Sequence, residues 1–148
     1  MATRTKTAAR EELRVALAEL FAARRRLHGR DQRHGGITFA QMALLRVLAD
    51  EGGEVPASRL AARADITPTS VTQMVDGLVK HGLVERVRSE EDRRVVFVRL
   101  TPAGREAFER QRAMYEERTR EAVADMTVDE VDQAAKVLRR VARMLDDL

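Results

Sequence analysis

Residues 92–104 read Asp-Arg-Arg-Val-Val-Phe-Val-Arg-Leu-Thr-Pro-Ala-Gly, which is a charged tip, then an apolar strand, then a helix start. The run 95–100 predicts the second strand of a β-hairpin whose first strand is 83–88, because the link between them is wholly polar. Thr101 followed by Pro102 is typical of an N-cap and a first helical residue. The stretch therefore predicts a hairpin arm anchored to a long helix.

A capped helix is predicted just upstream, over about residues 67–81. Thr67 is a good N-cap, Pro68 suits the first helical position, and Gly82 stops the helix. One face carries short polar side chains, namely Thr69, Ser70, Thr72 and Gln73. A polar-faced helix followed by a basic hairpin predicts a winged helix-turn-helix over 37–100, a device that grips duplex DNA in two grooves.

Apolar residues at helical spacing predict further helices on both sides of this block. After a frayed tail at 1–8, one helix is expected from about Arg10 to Gly29, with a polar turn at 31–36. The second predicted helix begins at a Thr38–Gln41 capping box, ends near Ala49 and buries Phe39, Met42, Leu45 and Leu48. Two more helices are predicted to begin near Pro56 and after Thr101. The last begins at a Thr127–Glu130 capping box and carries an apolar seam of Val131, Ala134, Leu138, Val141 and Leu145. The predicted fold is mostly α with a small β-hairpin wing.

Three segments follow from this order. Residues 1–36 are expected to form an N-terminal tail and dimerisation helix, 37–100 the winged helix-turn-helix lobe, and 101–148 the C-terminal dimerisation helices. Terminal helices with apolar seams and charged outer faces bury those seams best against a second copy, which predicts a twofold homodimer.

Composition excludes several function classes. The 148 residues include no Cys, which removes disulfides, thiolate nucleophiles and Cys-ligated zinc. No G-x-S-x-G motif or glycine-rich phosphate loop is present, so neither an enzyme nor a cofactor is expected. No apolar run approaches a membrane span, which leads us to expect a cytoplasmic protein. Arg greatly outnumbers Lys, which suits phosphate and guanine recognition, although genomic base composition explains the same skew.

The contacts with DNA are predicted from these two elements. The short polar side chains of the helix suit base edges in the major groove, where Gln73 can pair bidentately with adenine. The arginines of the hairpin tip suit the negative potential of the minor groove. The predicted DNA-contacting residues are Thr67, Thr69, Ser70, Thr72, Gln73, Lys80, Arg59, Arg86, Arg88, Asp92, Arg93 and Arg94. An ordinary solvated helix face and a soluble surface loop are the alternatives.

Several stretches together resemble the MarR family of bacterial transcription regulators. They are Leu60-Ala61, Ile66 to Leu78, Gly82-Leu83-Val84-Glu85-Arg86, and Asp92-x-Arg94-x-x-x-Val98-x-Leu100-Thr101-x-x-Gly104. The resemblance covers the element order from about residue 10 and the motifs of residues 54–104. It implies a homodimer whose helix 67–81 enters the major groove while the hairpin enters the minor groove, with Arg94 as the wing-tip arginine and Asp92 as the acid that orders the wing.

The resemblance also implies a repressor that releases DNA when a small, often aromatic, ligand binds between the dimer helices and the DNA-binding lobe. Candidate pocket residues are Leu17, Phe21, Phe39, Met42, Phe108 and Tyr115, for which plain core is the alternative. Family members often carry Arg where this chain has Gln73, which indicates a different operator preference. The missing Cys does not fit the peroxide-sensing branch, and the scattered His28, His34 and His81 do not fit the zinc-sensing branch, so no metal is expected.

Two other interpretations stay open from the sequence. One is a winged-helix module that binds protein and no longer binds DNA, supported by the acidic half of the hairpin link. The other is an architectural DNA-binding protein that responds to no small molecule. A twofold DNA-binding dimer predicts a pseudo-palindromic operator with half-sites about one helical turn, roughly 10 bp, apart.

Overall fold

A computed structural model describes residues 5–34, 37–64, 66–92 and 94–147, and of residues 28–34 it describes the backbone alone. The elements, in chain order, are α1 (Lys6–His34), α2 (Phe39–Glu51), β1 (Val55–Pro56), α3 (Ala57–Ala64), α4 (Pro68–Lys80), β2 (Val84–Arg88), β3 (Val96–Leu100), α5 (Pro102–Ala122) and α6 (Val128–Asp146). This confirms the predicted fold class of helices with a small hairpin. The chain forms two compact units, Met1–Arg105 and Glu106–Leu148, and the three predicted segments stay a prediction.

The sheet has one strand more than the sequence predicts. Its order is β1-β3-β2, and both pairings are antiparallel, with Val55 and Arg86 each opposite Val98. Because β1 contains only two residues, it shows no alternation that a sequence pattern can reveal, whereas the helix predicted to start near Pro56 is confirmed and begins at Ala57. The extra strand makes β3 the central strand and so gives the hairpin a rigid base.

The core of the first unit is aliphatic, as the low aromatic content predicts. α4 packs against α2, α3 and β2, while α2 also packs against β3. The side chains that are at most 2% exposed come from all of these elements, and they are Leu44, Leu45, Leu48, Val55, Leu60, Val71, Val75, Leu78, Val84 and Val98. The buried face of α4 is therefore fixed, and its polar residues are left on the outside.

Two expectations about the first unit are wrong. Phe39 is 52% exposed and not core, because it begins α2 at the edge of the unit, where the Arg24 guanidinium lies 5.3 Å from its ring centroid. The first helix spans Lys6–His34, so residues 6–8 of the expected frayed tail and residues 31–34 of the expected polar turn are helical. Residues 31–34 are polar but compatible with a helix, and polarity without Gly or Pro does not end one.

The hairpin is joined to α5 by a short set of backbone contacts. The Thr101 hydroxyl donates to the Gly82 carbonyl over 2.7 Å and accepts from the Gly104 N–H over 2.9 Å, and the Thr101 N–H donates to the Leu83 carbonyl over 3.1 Å. A Cβ atom at Gly104 would lie only 1.8 Å from the Leu83 carbonyl oxygen. The spacing Thr-x-x-Gly thus lets the first turn of α5 press against the start of the hairpin.

The second unit contains the remainder of α5 and all of α6. The predicted capping box at its second helix is present: the Thr127 N–H donates to Glu130 Oε2 over 2.8 Å, and the Glu130 N–H donates to the Thr127 hydroxyl over 3.3 Å. The seam of α6 is largely open to solvent in this single chain, with Leu138 52% and Leu145 42% exposed. Among the described residues, no helix is both long and apolar enough to cross a membrane.

Candidate nucleic-acid interface

The polar face of α4 is exposed while its opposite face is buried. The Thr67 hydroxyl accepts from the Ser70 N–H over 3.2 Å and donates to the Ser70 hydroxyl oxygen over 2.9 Å. The Thr72 hydroxyl donates to the Pro68 carbonyl over 3.2 Å. Since two hydroxyl protons are used inside the helix, the exposed Gln73 amide is the most versatile hydrogen-bonding group left on this face.

The tip of the hairpin is ordered by side chains that bind its backbone. Asp92 Oδ1 accepts from the Arg94 N–H over 3.0 Å and lies 3.5 Å from Arg94 Nε. The Ser89 hydroxyl accepts from the Asp92 N–H over 3.2 Å, a contact that the sequence analysis missed although Ser is a usual turn-forming residue. The Arg94 side chain is 94% exposed. Asp92 thus caps the turn and orients a neighbouring arginine, as predicted, and the arginine projects into solvent.

A cleft of about 640 Å³ lies between the hairpin, α4 and the start of α3. Thr72, Asp76, Arg86 and Arg94 contribute polar groups to its lining. Arg86 crosses from β2 to α4, where its NH1 donates to Asp76 Oδ1 over 2.5 Å and its NH2 to the Thr72 carbonyl over 3.4 Å. The cleft therefore has a mixed lining, with the apolar side chains of Pro56, Val95 and Val96 beside the Arg86–Asp76 ion pair.

The remaining predicted phosphate contacts differ in their surroundings. Lys80 and Arg88 are exposed and make no ion pair with the described residues. Arg59 and Arg63 each place a guanidinium nitrogen 3.2 Å from Glu51 Oε1, an oxygen that is buried but lies outside hydrogen-bond geometry. Arg63 is absent from the predicted set, although its spacing of four residues from Arg59 on α3 indicates a shared face. Arg93 lies outside the described residues.

The outer face of the sheet carries a separate charge network. Arg99 donates to Glu85 over 2.6 Å and to Glu54 over 3.0 Å, so that the central strand is tied to both of its neighbours. The hydrogen bond to Glu85 is the main reason that the pKa of Arg99 is raised above its ordinary value, with the charge of Glu85 adding to it. The Arg99 guanidinium is thus bound by two carboxylates on the outer face of the sheet, where exposed ion pairs add little stability.

The residues of the predicted ligand pocket differ in exposure and in the compact unit to which they belong. Met42 and Phe108 are buried, Leu17, Phe21 and Tyr115 are partly exposed, and Phe39 is mostly exposed. Four of these residues belong to the first compact unit, namely Leu17, Phe21, Phe39 and Met42, and the other two, Phe108 and Tyr115, belong to the second. These residues stay a prediction.

The histidines show no metal chemistry where they are described. His81 Nδ1 lies 2.7 Å from the Gly77 carbonyl, so this ring nitrogen contacts the backbone at the end of α4. The side chains of His28 and His34 lie outside the description. Within residues 5–27, 37–64, 66–92 and 94–147, no three His, Cys, Asp or Glu side chains are grouped as a metal ion requires.

Helix α4, the turn before it and the adjoining hairpin define the winged helix-turn-helix class. Residues 35–95 match the family model described as the MarR family. The HTH-type transcriptional repressor MdtR of Bacillus subtilis is 32% identical over 108 residues, which are 73% of this chain and 69% of that protein. The HTH-type transcriptional regulator YhbI of the same organism is 40% identical over 72 residues, 49% of this chain and 47% of that protein, so the match spans about half of that relative.

A solved structure of similar shape contains nucleic acid. Streptococcus pneumoniae FabT, crystallised in complex with DNA, is 25% identical, and the match covers 93% of this chain and 97% of that chain with a TM-score of 0.72. The chain belongs to the MarR family of transcription regulators. MdtR and YhbI are named as HTH-type regulators of transcription, which confirms the prediction that the chain is not an enzyme.

Proposed function

We propose that this chain is a sequence-specific regulator that binds double-stranded DNA as a homodimer on a pseudo-palindromic operator. The observation that carries the proposal is the exposed polar face of α4 beside a hairpin whose tip arginine, Arg94, is held by Asp92 and projects into solvent. Thr72 and Asp76 of α4 line the same cleft as Arg94, so the helix and the hairpin tip lie on one surface, as contact with a major and a minor groove at once requires. The similar FabT structure in complex with DNA supports the same use.

Base recognition in this proposal rests on α4. Gln73 is exposed and has both a donor and an acceptor at its tip, the pair of groups that binds adenine N7 and N6 together. Thr69 lies one turn away on the same helix and offers a methyl group to the methyl of a thymine. Thr67, Ser70 and Thr72 use part of their hydrogen-bonding capacity within the helix and are left chiefly as partners for phosphates.

The hairpin supplies the minor-groove contact. A guanidinium is attracted to the concentrated negative potential of a narrow minor groove, and Arg94 is fully available for this because its side chain is almost wholly exposed. Arg93 is its predicted neighbour in that contact. Lys80, Arg88 and Arg59 are the proposed phosphate contacts, which makes binding dependent on salt through counterion release.

The homodimer is supported by the apolar surface of the terminal helices. Leu13, Leu20 and Leu27 on α1 are 41%, 51% and 39% exposed, and Leu138 on α6 is 52% exposed. Leucines exposed along a helix are typical of an interface, and a twofold pair buries the same surface on both copies. Light scattering on the purified chain tests this directly, and a monomer at micromolar concentration would contradict it.

The response to a ligand is a second part of the proposal. We propose a repressor that releases DNA when a small aromatic ligand binds between the dimer helices and the DNA-binding lobe, as the family resemblance implies. The relative MdtR is named a repressor. A ligand that binds only the folded protein raises its melting temperature, so a panel of small aromatic acids tests this part by thermal shift.

The deciding experiment is a selection of bound fragments from random duplex DNA, followed by affinity measurements at several salt concentrations. We expect an enriched inverted repeat with half-sites about 10 bp apart and an affinity that falls steeply with salt. A chain that ignores duplex DNA in dilute buffer would refute DNA binding and favour a winged-helix module that binds protein. Enrichment of no sequence, together with salt-sensitive binding, would indicate an architectural protein.

A further inference from the structure

We propose that Arg86 is a positioning residue, whose ion pair with Asp76 sets how the hairpin stands against α4 and thereby sets operator selectivity. This inference rests on the proposed function. The sequence analysis placed Arg86 among the phosphate contacts on its charge alone. The structure places its guanidinium on the protein, between the two elements that are proposed to enter the two grooves.

The contact has two anchoring points on α4. Arg86 NH1 donates to Asp76 Oδ1 over 2.5 Å, and NH2 reaches the Thr72 carbonyl at 3.4 Å. Positions 72 and 76 are four residues apart, so they lie on one face of the helix, one turn from each other. A planar guanidinium that touches both points limits rotation of the helix as well as its distance from the strand.

The other end of the tether is rigid. Arg86 lies in β2 directly opposite Val98, a wholly buried residue of the central strand β3. Side chains alternate along a strand, so Arg86 shares the face of Val84, which is 2% exposed and packs into the core. A displacement of Arg86 would therefore require displacement of the sheet.

The charge of Asp76 favours this interpretation. Its side chain is 58% exposed on the helix that is proposed to enter the major groove, and it lines the cleft beside Arg94. A bare carboxylate there would repel the phosphates of DNA. An acid at this position is compatible with DNA binding when Arg86 neutralises its charge, and the ion pair then holds the hairpin against α4.

The direction in which Asp76→Asn changes operator affinity separates a positioning role from a phosphate contact. If Asp76 has no positioning role, Asp76→Asn removes a negative charge near DNA and tightens binding to every sequence. If Asp76 and Arg86 position the hairpin, Asp76→Asn weakens binding to the operator even though electrostatic repulsion falls. We expect a loss of roughly five- to tenfold on the operator, with binding to random duplex unchanged or tighter.

The experiment compares the full-length chain with Asp76→Asn, Arg86→Gln and the double variant, on the selected operator and on random duplex, at several salt concentrations. Each single variant should lower the ratio of operator to random affinity, and the double variant should be no worse than Arg86→Gln alone. The matched control is Glu85→Gln, which removes a carboxylate from the adjacent residue of the same strand, paired on the outer face with Arg99. It should leave the ratio within about twofold.

Arg86→Lys is the second test, because it retains the charge but not the planar two-point contact. Retained selectivity in Arg86→Lys, or operator binding by Asp76→Asn that equals or exceeds that of the parent chain, would overturn the proposal. Equal losses on operator and random duplex in Arg86→Gln, with a salt slope reduced by about one, would assign Arg86 to a phosphate instead. A parent chain without salt-sensitive DNA binding would refute the proposed function itself, an outcome distinct from these.

Discussion

Gly104→Ala tests the close approach between α5 and the hairpin. Helix propensity alone predicts that this change stabilises the chain by about 1 kcal/mol, because Gly104 lies in the first turn of a helix. The geometry predicts the reverse. The new Cβ would lie 1.8 Å from the Leu83 carbonyl oxygen, an atom of the backbone that no rotamer change can move aside.

The expected loss in the free energy of unfolding is the sum over the contacts that must shift to admit the new Cβ. Moving the first turn of α5 away from Leu83 costs about 2 kcal/mol in overpacking strain. It also weakens the bonds from the Thr101 N–H to Leu83 and from the Thr101 hydroxyl to Gly82, at about 1 kcal/mol each. After the gain in propensity is subtracted, the expected net loss is about 3 kcal/mol, or roughly 6–12 °C in Tm for a chain of this size.

The assay is urea and thermal unfolding at a fixed protein concentration, because self-association changes the apparent Tm. The matched control is Gly53→Ala, where the new Cβ would have no atom within 4 Å and the backbone is outside the left-handed region. We expect this control to be neutral or up to about 1 kcal/mol more stable. A Gly104→Ala chain as stable as the parent would refute the reasoning, since the approach of α5 to the hairpin would then be loose.

Three further outcomes are expected. Arg94→Ala should weaken operator binding by roughly 1–3 kcal/mol in a fluorescence-anisotropy titration, and unchanged affinity at matched salt would remove the hairpin tip from the interface. Gln73→Ala should lower operator affinity more than affinity for random duplex, whereas equal losses would show that Gln73 does not contact a base. Hydrogen bonds from the Thr127 backbone and hydroxyl lower the pKa of Glu130 below its ordinary 4.5, so its stabilisation of α6 is complete above that value and is lost as the pH falls through the lowered pKa. Thermal melts should show a smaller loss of stability on acidification in Glu130→Gln than in the parent chain, and identical pH dependence would contradict the assignment.

Much of the fold could be predicted because its signals are local. An N-cap hydrogen bond joins residues only three positions apart, so it can be predicted from a short stretch of sequence. The three predicted N-caps, at Thr38, Thr67 and Thr127, are all present. The hairpin is predicted by a polar link between two apolar runs, and its strands pair as expected. Such features need no knowledge of what packs against them.

What could not be predicted depends on partners that are distant in the sequence. β1 is a strand only because β3 lies beside Val55, 43 positions away along the chain. The exposure of Phe39 depends on where the first residue of α2 lies relative to the core, and the periodicity of apolar residues does not determine this position. Thr101 followed by Pro102 predicted the cap at Thr101, but the need for glycine at position 104 arises from the Leu83 backbone.

The acids near the interface resolve a difficulty in the charge balance of the lobe. Counted from the sequence, acidic residues nearly cancel the basic ones between 54 and 100, which argues against a surface for nucleic acid. In the structure Asp92 binds Arg94 and its backbone, and Asp76 binds Arg86 across the cleft. A carboxylate held by an arginine presents little free negative charge to DNA while it restricts where that arginine points. The near-neutral balance is thus compatible with a surface for nucleic acid, because Asp76 is neutralised by Arg86 and Asp92 fixes the backbone at Arg94 while the Arg94 side chain stays exposed.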